Sequence, residues 1–378
     1  MRIALVVAGP YPAFRGSQVL VGHVADGLRS RGHMVRIVTY GTWLAERPGP
    51  HPGRIVLDAV LLARLVRIVW RDGIDVIHAH NYEGAIAGLA AARVTGRPLV
   101  YHGHSAMADE LPTYVRSASM RRVAGWLGRA LDAHVPRRAD FCIAVTDELG
   151  ARLRQVGVRE DALTCIEPVA VPGDLRAMPP SADDEPLVCY AGNLDGYQNL
   201  EFLLAAFARV RAVEPRARLV LVTHADAQAG AARLAAGATP SGVEIVHAAS
   251  YDEVRARLGH AAVAVCPRTE RSGFPMKLLN YMAEGKAIVA SAGSAKGLAD
   301  GVTGVVVPDG DADAFARAVV GLLRDPLTRA RLGRAARASV EDARVWENVL
   351  ERLEGVYHRV ASRAGVRPAH APVTGVRP

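Results

Sequence analysis

The chain has little cysteine, few aromatics and almost no lysine, and each shortage narrows what it can be. Its four cysteines, Cys142, Cys165, Cys189 and Cys266, are scattered with no C-x-x-C pair. Buried free thiols are therefore expected, rather than a zinc ribbon or a disulfide framework. Aromatic residues make up 5% of the 378 positions, and no zinc-finger or RNP-like motif accompanies them. That speaks against nucleic acid as a partner despite a formal net charge of +8. No run approaches the ~20 apolar residues that cross a bilayer. The longest, residues 55–70, is interrupted by Asp58, Arg64 and Arg67. The opening apolar run, residues 3–8, is short and lacks a cleavage region, so it reads as a buried first strand and the protein is expected to be cytoplasmic. Lysine occurs only as Lys277, Lys286 and Lys296; nearly all the positive charge is arginine.

What is present is a soluble globular balance, 50% hydrophobic and 22% charged, in a chain long enough for two cores. Short β-rich runs alternate with amphipathic helical patterns. Strands are expected at 3–8, 35–40, 75–79, 99–102, 141–145 and 163–166, with helices between them, one beginning at a Ser17 cap. Pro168, Pro172, Pro179 and Pro180, followed by Asp183, Asp184 and Glu185, mark a linker. A second series follows, with strands at 187–191, 219–223, 243–246, 263–266 and 287–290. Strands alternating with helices imply parallel sheets covered on both faces. The chain thus reads as α/β, with two Rossmann-like, doubly wound domains at residues 1–170 and 171–345. A helix at 346–360 is expected to cross back to the first domain, and a Pro-, Gly- and Arg-rich tail, 361–378, to be disordered. Ligands of such sheets sit beyond the C-terminal ends of the strands.

The densest chemistry follows the strand 263–266. Arg268, Arg271 and Lys277 surround Gly273, Phe274 and Pro275, a turn into a helix whose first amides favour an anion. Lys277, Asn280 and Tyr281 share one helical face, with Leu278, Leu279 and Met282 on the buried one. This fits a clamp for a nucleoside diphosphate, and it also fits an ordinary βα unit with a solvated lysine. After the first strand, Gly16 and Ser17 let a phosphate approach the backbone, or simply form a turn. The sequence there is no G-x-G-x-x-G, so a nicotinamide cofactor is disfavoured. Histidines gather at strand ends as His78 and His80, then His102 and His104. Alternate residues of a strand face one side, so these suit a substrate pocket, a structural core or a metal. No acidic or cysteine ligand stands beside them, and no metal is expected.

Six stretches, in order, resemble retaining GT-B glycosyltransferases of family 4. They are residues 10–17 (a glycine loop), 27–39 (an L-x-x-x-G-H-x-V passage), 75–80 (D-V-x-H-x-H), 191–194, 268–286 and 301–308 (G-x-x-G-x-x-V-P). The resemblance spans about residues 1–345 and implies a GT-B fold, two Rossmann-like domains facing across a cleft. It implies transfer of a sugar from a nucleotide-sugar donor, used as a substrate with no bound cofactor or metal, to a sugar or lipid-linked hydroxyl acceptor in glycan, glycolipid or polysaccharide synthesis. The second domain would hold the donor through Asn193, Gln198, Arg268, Arg271, Ser272, Gly273, Phe274, Lys277 and Asn280, with Gly16 and Ser17 from the first. His102 is similar in place to the family's histidine at the transferred sugar, with His104 as its alternate. His80, Asn81 and Glu83 would face the acceptor. The sequence departs from the pattern at four points. Ser272 and Asn280 stand where the family has Glu-x7-Glu, and Asn193 and Gln198 where it has an arginine and a lysine.

Three rivals stay open on the sequence: a catalytically weak sugar-nucleotide-binding or partner subunit of the same fold, a metal-dependent hydrolase, and a nucleotide-sugar epimerase. One more feature bears on partners. Arg116, Arg121, Arg122, Arg129, Arg137 and Arg138 are interleaved with Met120, Val123, Trp126, Leu127 and Leu131. Such a pattern fits peripheral contact with an anionic membrane, or a solvated helix face packed on a sheet.

Overall fold

The computed structural model describes residues 1–9, 11, 16–41, 53–115, 117–171, 175, 185–224 and 241–366. Arg116, most of the 10–17 loop, the prolines 172, 179 and 180 and the tail beyond 366 lie outside these. The chain forms two compact units. The first is built chiefly from residues up to Glu167 together with those from Glu347 onward, the second from Pro168–Trp346.

In the first unit, β1 (Arg2–Val7), β2 (Met34–Val38), β3 (Val76–His80), β4 (Leu99–Gly103), β5 (Phe141–Ala144) and β6 (Leu163–Cys165) make one parallel sheet in the order β2-β1-β3-β4-β5-β6. β3 and β4 are buried along their whole length, as strands covered on both faces must be. The Asn81–Thr95 helix lies close on the sheet because small residues face it. A Cβ at Gly84 would stand 3.1 Å from the Val6 carbonyl oxygen, and one at Gly88 2.8 Å from Leu99 Cδ1. The helix Gly16–Ser30 starts at Gly16, so Ser17 belongs to its first turn rather than capping it. The last helix, Ala343–Arg363, docks on this unit. Arg31 donates to Glu347 and Glu354 at 2.7 and 2.9 Å, and the His33 ring lies 2.7 Å from Glu354.

The second unit repeats the plan with β7 (Leu187–Ala191), β8 (Arg218–Thr223), β9 (Val243–His247), β10 (Val263–Cys266), β11 (Ala287–Ser291) and β12 (Val305–Val307), in the order β12-β11-β10-β7-β8-β9. Every pairing is parallel. β7 has β8 on one side and β10 on the other. The connections leaving β7 and β10 therefore part in opposite directions, opening a crevice at their C-terminal ends. Tyr190, Phe207 and Phe315 anchor the core on one face, and Cys189, Tyr281 and Met282 on the other.

Two sequence expectations about helices need correction. The helix after β10 starts at Lys277, not at Phe274 and Pro275, and ends at Ala283. A residue before proline is pushed out of the α region, so Phe274 cannot begin it. Tyr281 does not share a clamp face with Lys277: it is fully buried, and its hydroxyl accepts from Ala191 N at 2.8 Å.

Candidate active site

At the second unit's crevice, residues that are far apart in sequence meet. Beyond β7 the chain runs through Gly192 and Asn193 into a short turn, Gly196–Gln198. Beyond β10 it runs through Arg268–Met276 before the Lys277 helix. Lys277 Nζ donates to Gln198 Oε1 at 2.7 Å and lies 3.9 Å from the centroid of the Tyr190 ring, a cation–π distance. Gly192 makes room for it, since a Cβ there would stand 3.0 Å from Nζ. Burial pulls the Lys277 ammonium down to about 7, and the Arg268 guanidinium pushes it the same way. A cation held near its neutral point gains most from an arriving anion.

The other residues expected beside this lysine differ in their surroundings. Asn193 donates through Nδ2 to Tyr197 Oη at 2.8 Å, and Arg268 lies over the Tyr197 ring at 5.2 Å from its centroid. Asn280, half-buried, sits one helical turn from Lys277. Arg271 turns elsewhere; it is largely exposed and pairs with Asp309 at 3.1 Å. Phe274 is buried.

Glu270, unremarked in the sequence, occupies the centre of this loop. Its carboxylate pairs with Arg268 and accepts from Ser272 Oγ, from Ser272 N at 2.5 Å and from Gly273 N at 3.0 Å. The backbone amides of Ser272 and Gly273, two of the expected donor residues ahead of the helix, are thus held by the chain's own carboxylate, which also pairs with Arg268. A spacing pattern has no signal for this, because it depends on the chain folding back over two residues. The carboxylate lies on Ser272, one of the positions where the sequence departs from the family's glutamates.

In the first unit the four histidines form one stack at the C-terminal ends of β3 and β4. His78, His80 and His102 are buried and His104 is half-buried. The centroids of His78 and His80 are 4.4 Å apart, of His80 and His102 5.0 Å, and of His102 and His104 4.9 Å. His78 Nε2 meets His102 Nδ1 at 3.1 Å, and His80 Nδ1 meets His104 Nε2 at 3.0 Å. The corresponding centroid separations, 5.2 and 5.3 Å, mean that the nitrogens point at each other. His78, His80 and His102 also bring ring nitrogens within 4.8 Å of one another. An ion between head-on nitrogens would have to lie about 1.5 Å from each, shorter than any zinc–imidazole bond. The His78–His102 and His80–His104 contacts are those of imidazole–imidazole hydrogen bonds, while His80 Nε2 and His102 Nε2 are buried without a hydrogen-bond partner among the described residues.

Burial keeps these rings neutral. It lowers His78 to about 3, with His104 adding to the effect, and His104 to about 4. His80 and His102 are driven well below the usual range, first by burial and then by their neighbours. Next to the stack, Asn81 adopts a left-handed backbone, φ 61°, and Glu83 pairs with Arg54 at 2.6 Å. Burial raises the Glu83 carboxyl against the pull of Arg54.

The helix Ala118–His134 packs by its small face. Gly125 and Gly128 are buried, and a Cβ at Gly128 would stand 2.4 Å from the Met107 carbonyl oxygen. Met120, Val123, Trp126 and Leu127 are therefore exposed, Trp126 at 65%, instead of packing on a sheet. No helix among the described residues is long and apolar enough to cross a membrane.

Comparison with known proteins agrees with this architecture. Residues 14–169 match the profile of Glycosyltransferase Family 4, and residues 185–325 that of Glycosyl transferases group 1. The D-inositol 3-phosphate glycosyltransferase of Kribbella flavida is 26% identical over 336 residues, covering 81% of this chain and 76% of its own. The phosphatidyl-myo-inositol mannosyltransferase of Mycolicibacterium smegmatis is 26% identical over 390 residues, 97% of this chain and 96% of its own. Among solved structures, sucrose-phosphate synthase of Thermosynechococcus elongatus superposes with a TM-score of 0.77 at 21% identity, over 96% of this chain and 99% of that one. HepE of Anabaena, solved with UDP and glucose, gives 0.68 at 17% identity, over 94% and 99%. Two parallel six-stranded sheets and two matching profiles together place this chain in glycosyltransferase family 4, an enzyme family of the GT-B fold.

Proposed function

We propose that the protein is a retaining glycosyltransferase that takes a sugar from a nucleoside-diphosphate donor and passes it to a hydroxyl of a sugar or lipid-linked acceptor. The observation that carries this reading is the Lys277 ammonium, set between Gln198 and the Tyr190 ring at the switch point of the second sheet. It supplies a cation beside the position where the family's own lysine is replaced by Gln198. The glycosidic C–O bond to the diphosphate breaks as a C–O bond to the acceptor forms on the same face. The departing phosphate oxygen takes the acceptor's proton, and Lys277 stabilises the charge that develops there. No metal is required by this scheme. The neutral histidines position the sugar; with ring pKa values this low they are poor proton acceptors at neutral pH. HepE is solved with UDP-glucose, which makes uridine the first base to try.

Calorimetry against UDP-, GDP- and ADP-sugars tests the reading. Binding of one of them, lost in Lys277→Ala, supports it. Failure of all three favours a partner subunit that has given up the donor site, a reading motivated by Glu270 holding the loop's amides and Arg268.

Membrane contact through the Ala118–His134 helix belongs to the same proposal. Its exposed Met120, Val123, Trp126 and Leu127 stand among exposed Arg121, Arg122 and Arg129, the composition of an interfacial helix. Arg121→Glu with Arg122→Glu should abolish flotation with anionic liposomes; unchanged flotation would remove the helix from the proposal.

A further inference from the structure

The histidine stack is anchored from the far end of the chain. Tyr357, fully buried on the Ala343–Arg363 helix, has its hydroxyl 2.7 Å from His78 Nδ1. His78 Nε2 is 3.1 Å from His102 Nδ1, and His102 Nε2 is buried with no hydrogen-bond partner. The protons of this line can run in two directions. If Tyr357 accepted from His78, the phenolic hydrogen would have no acceptor among the described residues, and His102 Nε2 would be a lone pair with no donor. If Tyr357 donates, His78 carries its proton on Nε2 and donates to His102 Nδ1, and only one group, the His102 Nε2–H, is left unmatched. Buried polar groups settle in the arrangement with fewer orphans, and a phenol is the stronger donor.

We propose that Tyr357 is a positioning residue that fixes His102 as a neutral Nε2–H donor, through His78, so that His102 offers a hydrogen bond to a hydroxyl oxygen of the transferred sugar and cannot take up a proton there. This rests on the reading of His102 as a sugar-positioning group. The unmatched Nε2–H is the donor that a bound hydroxyl would satisfy.

Histidine side-chain 15N spectra of the full chain test the relay without any substrate, because bare and protonated ring nitrogens resonate far apart. The wild type should show Nε2–H for both His78 and His102. Tyr357→Phe, which preserves shape, should release both rings to mixed tautomers. It should also lower kcat about 3- to 10-fold while leaving the affinity for the nucleoside diphosphate unchanged. An Nδ1–H His102 in the wild type overturns the inference, as do ring spectra that Tyr357→Phe leaves unaltered. If the wild-type tautomers are as stated but no nucleotide sugar is turned over, the enzymatic reading fails and the relay stands.

Discussion

The two units are built alike and charged differently. Each is a six-stranded parallel sheet whose first strand lies inside the order, and each starts a helix from an asparagine with left-handed backbone, Asn81 at φ 61° and Asn199 at φ 58°. At the strand ends, however, the first unit gathers four imidazoles that burial keeps neutral, and the second holds one ammonium near its neutral point. The backbone determines where side chains can meet, and the residues at a few strand ends decide whether that place is neutral or carries a titratable cation.

The contrast can be broken at either end. Lys277→Ala should give the largest effect, a loss of turnover of about 100- to 1000-fold with an unchanged melting temperature. An active variant would mean that the second unit handles the diphosphate without its cation.

The neutral stack should appear in acid stability. The unfolded histidines take up protons near pH 6.5, whereas folded His104 and His78 wait until about pH 4 and 3. Below about 6.5 the unfolded chain therefore binds more protons, and stability falls as the pH drops, by up to about 1.4 kcal/mol per pH unit for each ring. Urea midpoints between pH 7.5 and 5 would record it; a flat profile would mean that the folded rings take up protons as readily as the unfolded ones.

The smallest effect sharpens the other side. Free Lys277 is half-deprotonated at about pH 7 and must be charged to hold a diphosphate. Binding then takes up a proton above that pH, and affinity should weaken by up to about tenfold per unit as pH rises from 7 to 9. A pH-independent affinity, measured with the nucleoside diphosphate that the donor panel selects, would place the binding charge elsewhere.

Much of the fold could be read from the sequence, because strand and helix periods alternate cleanly and parallel strands are uniformly apolar. β12 escaped because three valines, Val305–Val307, are too few to show a period. The clustering of His78, His80, His102 and His104 was legible because all four are carried straight off the ends of two adjacent strands. The candidate site was not legible where a side chain folds back, as Glu270 does, or where partners are 279 positions apart, as His78 and Tyr357 are. Tyr281 misled for a related reason: helical spacing gives the face of an isolated helix, and tertiary packing turned that face to the sheet.

Lys277 is also a chemical handle. The chain has only three lysines, and Lys286 is tied to the carbonyls of Gly259 and Ala261. An amine that has lost half its protons at neutrality is a nucleophile, so an acylating reagent small enough to reach the crevice at pH 7 is expected to modify Lys277. If a nucleotide seats on that amine as proposed, it would shield it, and the labelling rate would then report vacant sites.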